Sequence, residues 1–242
     1  MKRLVIVPVY NEEQYIRGVL GRVRDVYEGD VLAVNDGSTD GSAELIARFG
    51  NIKSINHTQN LGYGRSLING FRYALENGYD YLVTIDCDEQ HEPRHIPEIF
   101  DMIGNTDVLS GSRYLGGTLT GDVPPPDRYR INMTITEKIN KVTHYNITDS
   151  FCGLKGYRVK TLASLDLREN GYAFPLEFWI QACRFGLSVA EFPVERIYKN
   201  LERVFGEDLD NPENRLAYYM SVLEGELERW SISSPLACTR TI

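Results

Sequence analysis

The 242-residue chain reads as an α/β protein with a mainly parallel, doubly wound sheet and helices on both faces. Three observations predict this. Segments of strand character alternate with helical ones through about residue 113, the pattern of βαβ units. The first apolar run, RLVIVPV, is continuous, as in a strand covered on both faces. Polar residues collect where strands should end, at Tyr10 to Glu12, Asp36 to Ser38, Asp86 to Gln90 and Ser112–Arg113, and such sheets bind ligands beyond their carboxyl ends.

Each element has a local reason. After RLVIVPV, the stretch EEQYIRGVLGRVRDVY places Ile16, Val19, Leu20 and Val23 near helical spacing. DVLAVND is a second strand, and GSTDGSAELIARFG supplies a Ser/Thr/Asp cap, a short helix and a terminating glycine. IKSINH is a third strand, GYGRSLINGFRYALENG a helix opened and closed by glycines, and YDYLVTIDCD a fourth strand. EPRHIPEIFDMI is a helix with proline near its start, and DVLSGSR a fifth strand. The organisation then changes. YLGGTLTGDVPPPD is a Gly- and Pro-rich loop, expected to move. RYRINMTITEKINKVTHY is a helix, DSFCGLKGYRV a turn entering a strand, PLEFWIQACRFG a core helix and LSVAEFPVERIYK one or two strands. RLAYYMSVLEGELERW is a final amphipathic helix, and the tail from 231 to 242 is expected to be loose.

The bulk numbers narrow the function. Hydrophobic residues are 42% and charged residues 25%, as in soluble globular proteins, and the formal charge is -8. An acidic balance argues against broad nucleic-acid binding but leaves room for a local basic site for a phosphorylated ligand. Four cysteines without CxxC spacing indicate neither zinc nor a disulfide framework, so a cytoplasmic location is expected. No window approaches the roughly 18 to 20 apolar residues of a membrane span. Any membrane contact is expected to be peripheral, at the cytoplasmic face.

The chemistry concentrates in YLVTIDCDEQHEP, where an apolar strand runs into Asp86, Asp88, Glu89 and Glu92. In an extended chain Asp86, Asp88 and Gln90 share one face. Neighbouring carboxylates repel unless a cation lies between them. Oxygen ligands of this kind suit Mg2+ or Mn2+, which also bind substrate phosphates. The plainer alternative is a solvated acidic turn capping the next helix, and His91 reads as a surface or capping residue.

VPVYNEE, VNDGSTDGS, NLGYGRSLINGF, DCDEQHEP and SGSRYLGG occur in the order found in family 2 glycosyltransferases of the GT-A fold. The chain resembles that family over about residues 3 to 200, and within it the polyprenyl- or dolichyl-phosphate mannosyl- and glucosyltransferases. The resemblance implies a single catalytic domain, residues 1–230, with a nucleotide-binding half (1–113) and an acceptor-binding half (114–205). It implies a metal-dependent, inverting transfer of mannose or glucose from a GDP- or UDP-hexose to a lipid phosphate, with a soluble glycan as the alternative acceptor. Pro8, Tyr10, Glu12, Asp36, Asp86 and Arg113 would hold the nucleotide sugar. Asp86, Asp88 and Gln90 would hold the ion. Asp149, in DSFCG, would be the catalytic carboxylate beside the acceptor, acting with Asp88. An ionised phosphate acceptor needs little base catalysis, so Asp149 would then orient the acceptor or bind a cation. Arg130, or alternatively Arg128, would bind the acceptor phosphate. Gly64 and Arg65 would lie near the donor, Glu177 would approach the acceptor, and Lys199 and Arg203 would close over the diphosphate. A sugar nucleotidyltransferase is the rival enzyme, but it calls for a G-x-G-T-R-like loop where VPVYNEE stands. A nucleotide-sugar-binding domain without turnover is the rival outside catalysis.

Overall fold

A computed structural model describes residues 1–116, 121–198 and 205–230. Its elements are β1 (Arg3–Val9), α1 (Ile16–Val26), β2 (Asp30–Asn35), α2 (Ser42–Arg48), β3 (Lys53–Asn56), α3 (Tyr63–Glu76), β4 (Tyr81–Thr84), α4 (His95–Met102), β5 (Val108–Ser112), α5 (Pro126–Thr143), β6 (Lys155–Arg158), α6 (Val159–Leu162), α7 (Phe174–Arg184), β7 (Val189–Pro193) and α8 (Pro212–Arg229), with 3-10 turns at Ile103–Asn105 and Glu207–Asp210. The seven strands form one sheet in the order β3-β2-β1-β4-β6-β5-β7.

The apolar strands sit between two cores, as their unbroken hydrophobicity predicts. Side chains alternate along a strand. Leu4 and Ile6 of β1 therefore join Leu32, Val34 and Leu82 on one face, under α3, α5, α7 and α8. Val5, Val7 and Val9 face the other way with Val31, Ala33 and Val83, under α1, α2 and α4. Trp179 of α7 is fully buried and donates its indole N–H to the Ser150 carbonyl at 2.9 Å.

The pairing is parallel except at β6, which runs antiparallel to both β4 and β5. This reversal positions the site. β1, β2, β4 and β5 leave the sheet at a shared edge, and β6 enters there, so the DSFCG segment before it lands among their carboxyl ends. Thr84 fastens it there through a 2.7 Å bond from its hydroxyl to the Gly153 carbonyl.

Two local expectations change, and a third is narrowed within its range. The first helix begins at Ile16, after a turn in which the Glu12 carbonyl accepts from the Tyr15 and Ile16 amides. β4 ends at Thr84 rather than running on to Asp88, and Glu89 takes a left-handed φ of 59°. Asp86, Asp88 and Gln90 thus do not share a strand face. LSVAEFPVERIYK holds one strand, β7, plus an isolated bridge between Gly121 and Arg196. Cys87, Cys152 and Cys183 are buried thiols outside any disulfide. Among the described residues, no helix is long and apolar enough to cross a membrane. The tail at 231–242, part of the Gly/Pro loop, Lys199 and Arg203 lie outside the described residues.

Candidate active site

A cleft of about 670 Å³ opens along the carboxyl edge of the sheet, and it gathers Pro8, Tyr10, Glu12, Asp36, Asp86, Asp88, Gln90, Arg113 and Arg128. Two loops build its first wall. Asn11 adopts φ 53°, a left-handed conformation that asparagine tolerates better than most residues. Its amide donates to Ser38 Oγ at 3.0 Å and its Oδ1 accepts from the Thr39 amide at 2.8 Å. The loop after β1 is thereby clasped to the loop after β2, with the Glu12 amide on Ser42 Oγ at 2.9 Å. Asp36 is 2% exposed. It accepts from the Leu61 and Gly62 amides at 2.9 and 2.8 Å and lies 2.6 Å from His57 Nδ1, while His57 Nε2 lies 2.8 Å from Asn69 Nδ2. Asp36 therefore shapes the entry to α3 besides facing the cleft.

The acidic end is a turn, not a strand face. Asp88 Oδ1 accepts from the Gln90 amide at 3.0 Å. Asp86 Oδ1 accepts from the Tyr63 hydroxyl at 2.9 Å. Burial and the adjacent Asp86 charge hold the Tyr63 phenol well above its ordinary pKa, so it stays a donor. A Cβ built on Gly153 would fall inside the Asp86 carboxylate, so glycine at that position admits the acid. His91, expected on the surface, is 7% exposed and lines the cleft, its Nε2 at 3.5 Å from Asp86 Oδ2. Among the described residues, His91 Nδ1 and Ser66 Oγ at this cleft are buried without a hydrogen-bond partner.

Arg113, Asn132 and Asp149 form the opposite support. Arg113 donates from Nε and Nη2 to the two oxygens of Asp149 at 2.7 and 3.0 Å, and Asn132 Nδ2 adds a bond of 2.7 Å. Asp149 is 0% exposed and does not line the cleft. Burial alone would raise its carboxyl, but the Arg113 charge and these hydrogen bonds more than reverse that and bring it to about 2. A carboxylate so held is a poor proton acceptor and a firm support for the guanidinium.

The two arginines offered for an acceptor phosphate separate. Arg128 lines the cleft and lies 5.1 Å above the Phe205 ring, whereas Arg130 turns outward to Glu213 at 2.6 Å. Arg130 is thus not brought to the site. Gly64 and Arg65 pack against residues 169 and 170 instead of facing the cleft. Glu177 is 1% exposed and turns away from it. Sequence reasoning missed Tyr63, Tyr172, Phe205 and Arg215, all of which line the cleft. Tyr63 stacks on Tyr172 with centroids 5.9 Å apart, Tyr172 meets Phe205 edge-on at 5.4 Å, and Arg215 covers Phe205 at 4.3 Å. Only Tyr63 had a signal, standing within the Gly-rich motif.

Among the described residues, no three His, Cys, Asp or Glu side chains converge as a ready-made metal cage. The donors present still fit Mg2+ or Mn2+, which commonly use one or two carboxylates and complete their shell with water and substrate phosphate.

The family model for glycosyl transferase family 2 matches residues 4–165. An undecaprenyl-phosphate mannosyltransferase of Micrococcus luteus is 33% identical over 210 residues, covering 83% of this chain and 86% of that protein. A polyprenol monophosphomannose synthase of Mycolicibacterium smegmatis is 30% identical over 204 residues, covering 80% and 76%. Among solved structures, glucosyl-3-phosphoglycerate synthase of Mycobacterium tuberculosis, in complex with Mn2+, UDP and glucosyl-3-phosphoglycerate, superposes with a TM-score of 0.71 at 18% identity, over 96% of this chain and 81% of that one. This places the fold in the GT-A class.

Proposed function

The chain belongs to glycosyl transferase family 2, and on that premise we propose that it transfers a hexose, with inversion, from a nucleotide diphosphate sugar to a polyprenyl phosphate. As a member of the family it is a hexosyltransferase. The observation that carries the fuller reading is the convergence of Asp86, Asp88, Gln90 and Arg113 on one cleft, in a chain one-third identical to an undecaprenyl-phosphate mannosyltransferase.

In this reading Tyr10, Glu12 and Asp36 receive the nucleoside, with Tyr10 packing on the base and carboxylates accepting its N–H groups. Asp86, Asp88 and Gln90 would hold Mg2+ or Mn2+, which when bound offsets charge on the departing diphosphate. Arg113 presents a guanidinium whose plane is set by Asp149, a charge aimed in advance at the phosphates. Tyr63 fixes the Asp86 oxygen it donates to. Arg128 stands ready for the acceptor phosphate. That phosphate is already an anion near neutral pH, so its oxygen attacks without a base, and Asp149 serves as a positioning carboxylate.

A thermal-shift panel of UDP- and GDP-hexoses with and without Mn2+ tests the donor side, because a ligand of the native state raises the midpoint. The expected outcome is a rise for one nucleotide class that needs the ion and is lost in Asp88→Ala. Transfer to a short-chain polyprenyl phosphate, with the matching alcohol as control, tests the acceptor side. Equal transfer to both would remove the phosphate from the proposal. Release of pyrophosphate from a nucleoside triphosphate and a sugar phosphate would point to a nucleotidyltransferase.

A further inference from the structure

A strap, residues 166–172, runs from below α7 to the wall of the cleft, and its attachments form a chain. At its buried end both oxygens of Glu177 accept from the Arg168 amide at 2.8 and 2.9 Å, and Oε2 also accepts from the Glu169 amide at 2.8 Å. In its middle the Glu169 carboxylate accepts from the Gly171 amide at 2.6 Å and the Tyr218 hydroxyl of α8 at 2.5 Å. At its outer end the Asn170 carbonyl accepts from the Arg65 amide at 3.1 Å, and Asn170 Oδ1 from Arg65 Nε at 2.8 Å. The strap also presses on the first turn of α3, where a Cβ at Gly62 or Gly64 would collide with the Asn170 or Glu169 carbonyl. Its Tyr172 stacks on Tyr63, the donor to Asp86.

We propose that Glu177 is a positioning residue for sugar transfer: by tying down the strap it fixes the start of α3, and through Tyr63 it sets the Asp86 carboxylate in the cleft. The inference rests on the reading of Asp86 as part of the donor site. Glu177 touches neither substrate nor cleft.

Its surroundings explain why a carboxylate is needed. Every hydrogen-bond partner of Glu177 is a donor: the Arg168 and Glu169 amides, and Gln181 Nε2 at 3.3 Å. From α8, Arg229 Nη1 stands 3.5 Å away, and the same guanidinium binds Glu226 at 2.8 Å and Asp166 at 2.6 Å. Glu226, itself 8% exposed, is the second buried carboxylate in this seam, beside the more exposed Asp166, and it also accepts from Gln181 and Trp230. A proton on Glu177 turns one acceptor oxygen into a donor facing donors, and one attachment of the strap is lost. Burial drives the Glu177 carboxyl up to about 7 against the pull of the two backbone amides, so this change falls near neutral pH. Glu177→Gln carries the same defect at every pH.

The test compares wild type with Glu177→Gln in two measurements. Amide hydrogen exchange at pH 8 should show faster exchange at Arg168 and Glu169 and, about tenfold, at Arg65, whose amide is held only through the strap. Affinity for UDP and for GDP, each with Mn2+, should weaken about tenfold in wild type between pH 8 and pH 6. In the variant it should sit at the weak value throughout. A variant that loses protection at 168 and 169 alone, or that keeps the wild-type pH profile, overturns the proposal. Should Glu177→Gln fail to fold, Asn170→Ala removes the side-chain bond to Arg65 Nε and so weakens the strap's hold on Arg65, while leaving the backbone bond between them and Glu177 in place. It should loosen Arg65 and weaken nucleotide binding with 168 and 169 still protected, and an unchanged Arg65 overturns the proposal. If wild type binds neither nucleotide at any pH, the donor reading falls, and the exchange data alone decide the role of Glu177.

Discussion

Asp149 and Arg113 meet through a two-pronged ion pair whose carboxylate is fully buried and whose guanidinium is largely so, and breaking one side of such a pair leaves a largely buried charge without compensation. Removing one partner of a buried pair typically costs about 3 to 5 kcal/mol. Asp149→Asn should therefore lower stability by about 3 kcal/mol in urea unfolding, and kcat/KM should fall more than tenfold as the Arg113 guanidinium loses its fixed plane. The pH dependence follows from the sign of the shift. The Asp149 carboxyl falls from 3.8 in the unfolded chain to about 2 in the native one. Its contribution is fully present above pH 4 and is lost as pH falls through 2. Wild type should lose stability over that interval more steeply than Asp149→Asn, measured as unfolding midpoints at pH 4, 3 and 2. Parallel curves would show that the pair contributes nothing through its charge.

At the scale of elements, the antiparallel β6 decides the site, because it delivers Gly153 against Asp86. In Gly153→Ala the new methyl group meets the Asp86 carboxylate, so either the acid or the segment before β6 has to shift. The expected outcome is a loss of kcat/KM of at least tenfold with the circular-dichroism spectrum intact. Activity within twofold of wild type would mean that Asp86 is free to move and is not a positioned ligand. The same elements show what could be read in advance. The buried parallel strands were legible because two-sided burial leaves an unbroken apolar run, and the cleft was legible because polar residues follow those runs. The reversal of β6 was not, since KGYR carries no mark of direction and its pairing depends on residues of β4 and β5 far away in the chain. Nor was the turn at Asp86 to His91, where a left-handed Glu89 held by Arg22 at 2.8 Å replaces the extended chain that alternation assumes. The burial of His91 follows from that turn. The aromatic wall of Tyr172 and Phe205 was illegible for a similar reason. Its members are far apart in the chain and meet only because the strap and α8 fold over the mouth of the cleft.

For the molecule as a whole, the charge distribution constrains how a diphosphate can enter. The chain carries a formal charge of -8. Glu12, Asp36, Asp86 and Asp88 line one end of the cleft, while two of its arginines are already paired, Arg113 with Asp149 and Arg215 with Asp127. A nucleoside diphosphate brings further negative charge to that end. Unit charges about 5 Å apart at an effective dielectric of about 20 interact by about 3 kcal/mol, near a hundredfold in affinity. Nucleotide binding should accordingly be linked to a divalent cation bound at Asp86, Asp88 and Gln90. Calorimetric titration of UDP and GDP is expected to give at least a hundredfold weaker binding in EDTA than in Mn2+. Raising monovalent salt should recover little of the difference, since partly buried charges are poorly screened. In Asp88→Ala the gap between the two conditions should shrink, because a carboxylate that would both repel the bare nucleotide and hold the ion is gone. Equal affinities in EDTA and Mn2+ would mean that Arg113 and Arg128 alone carry the diphosphate, and the acidic turn would then need another role.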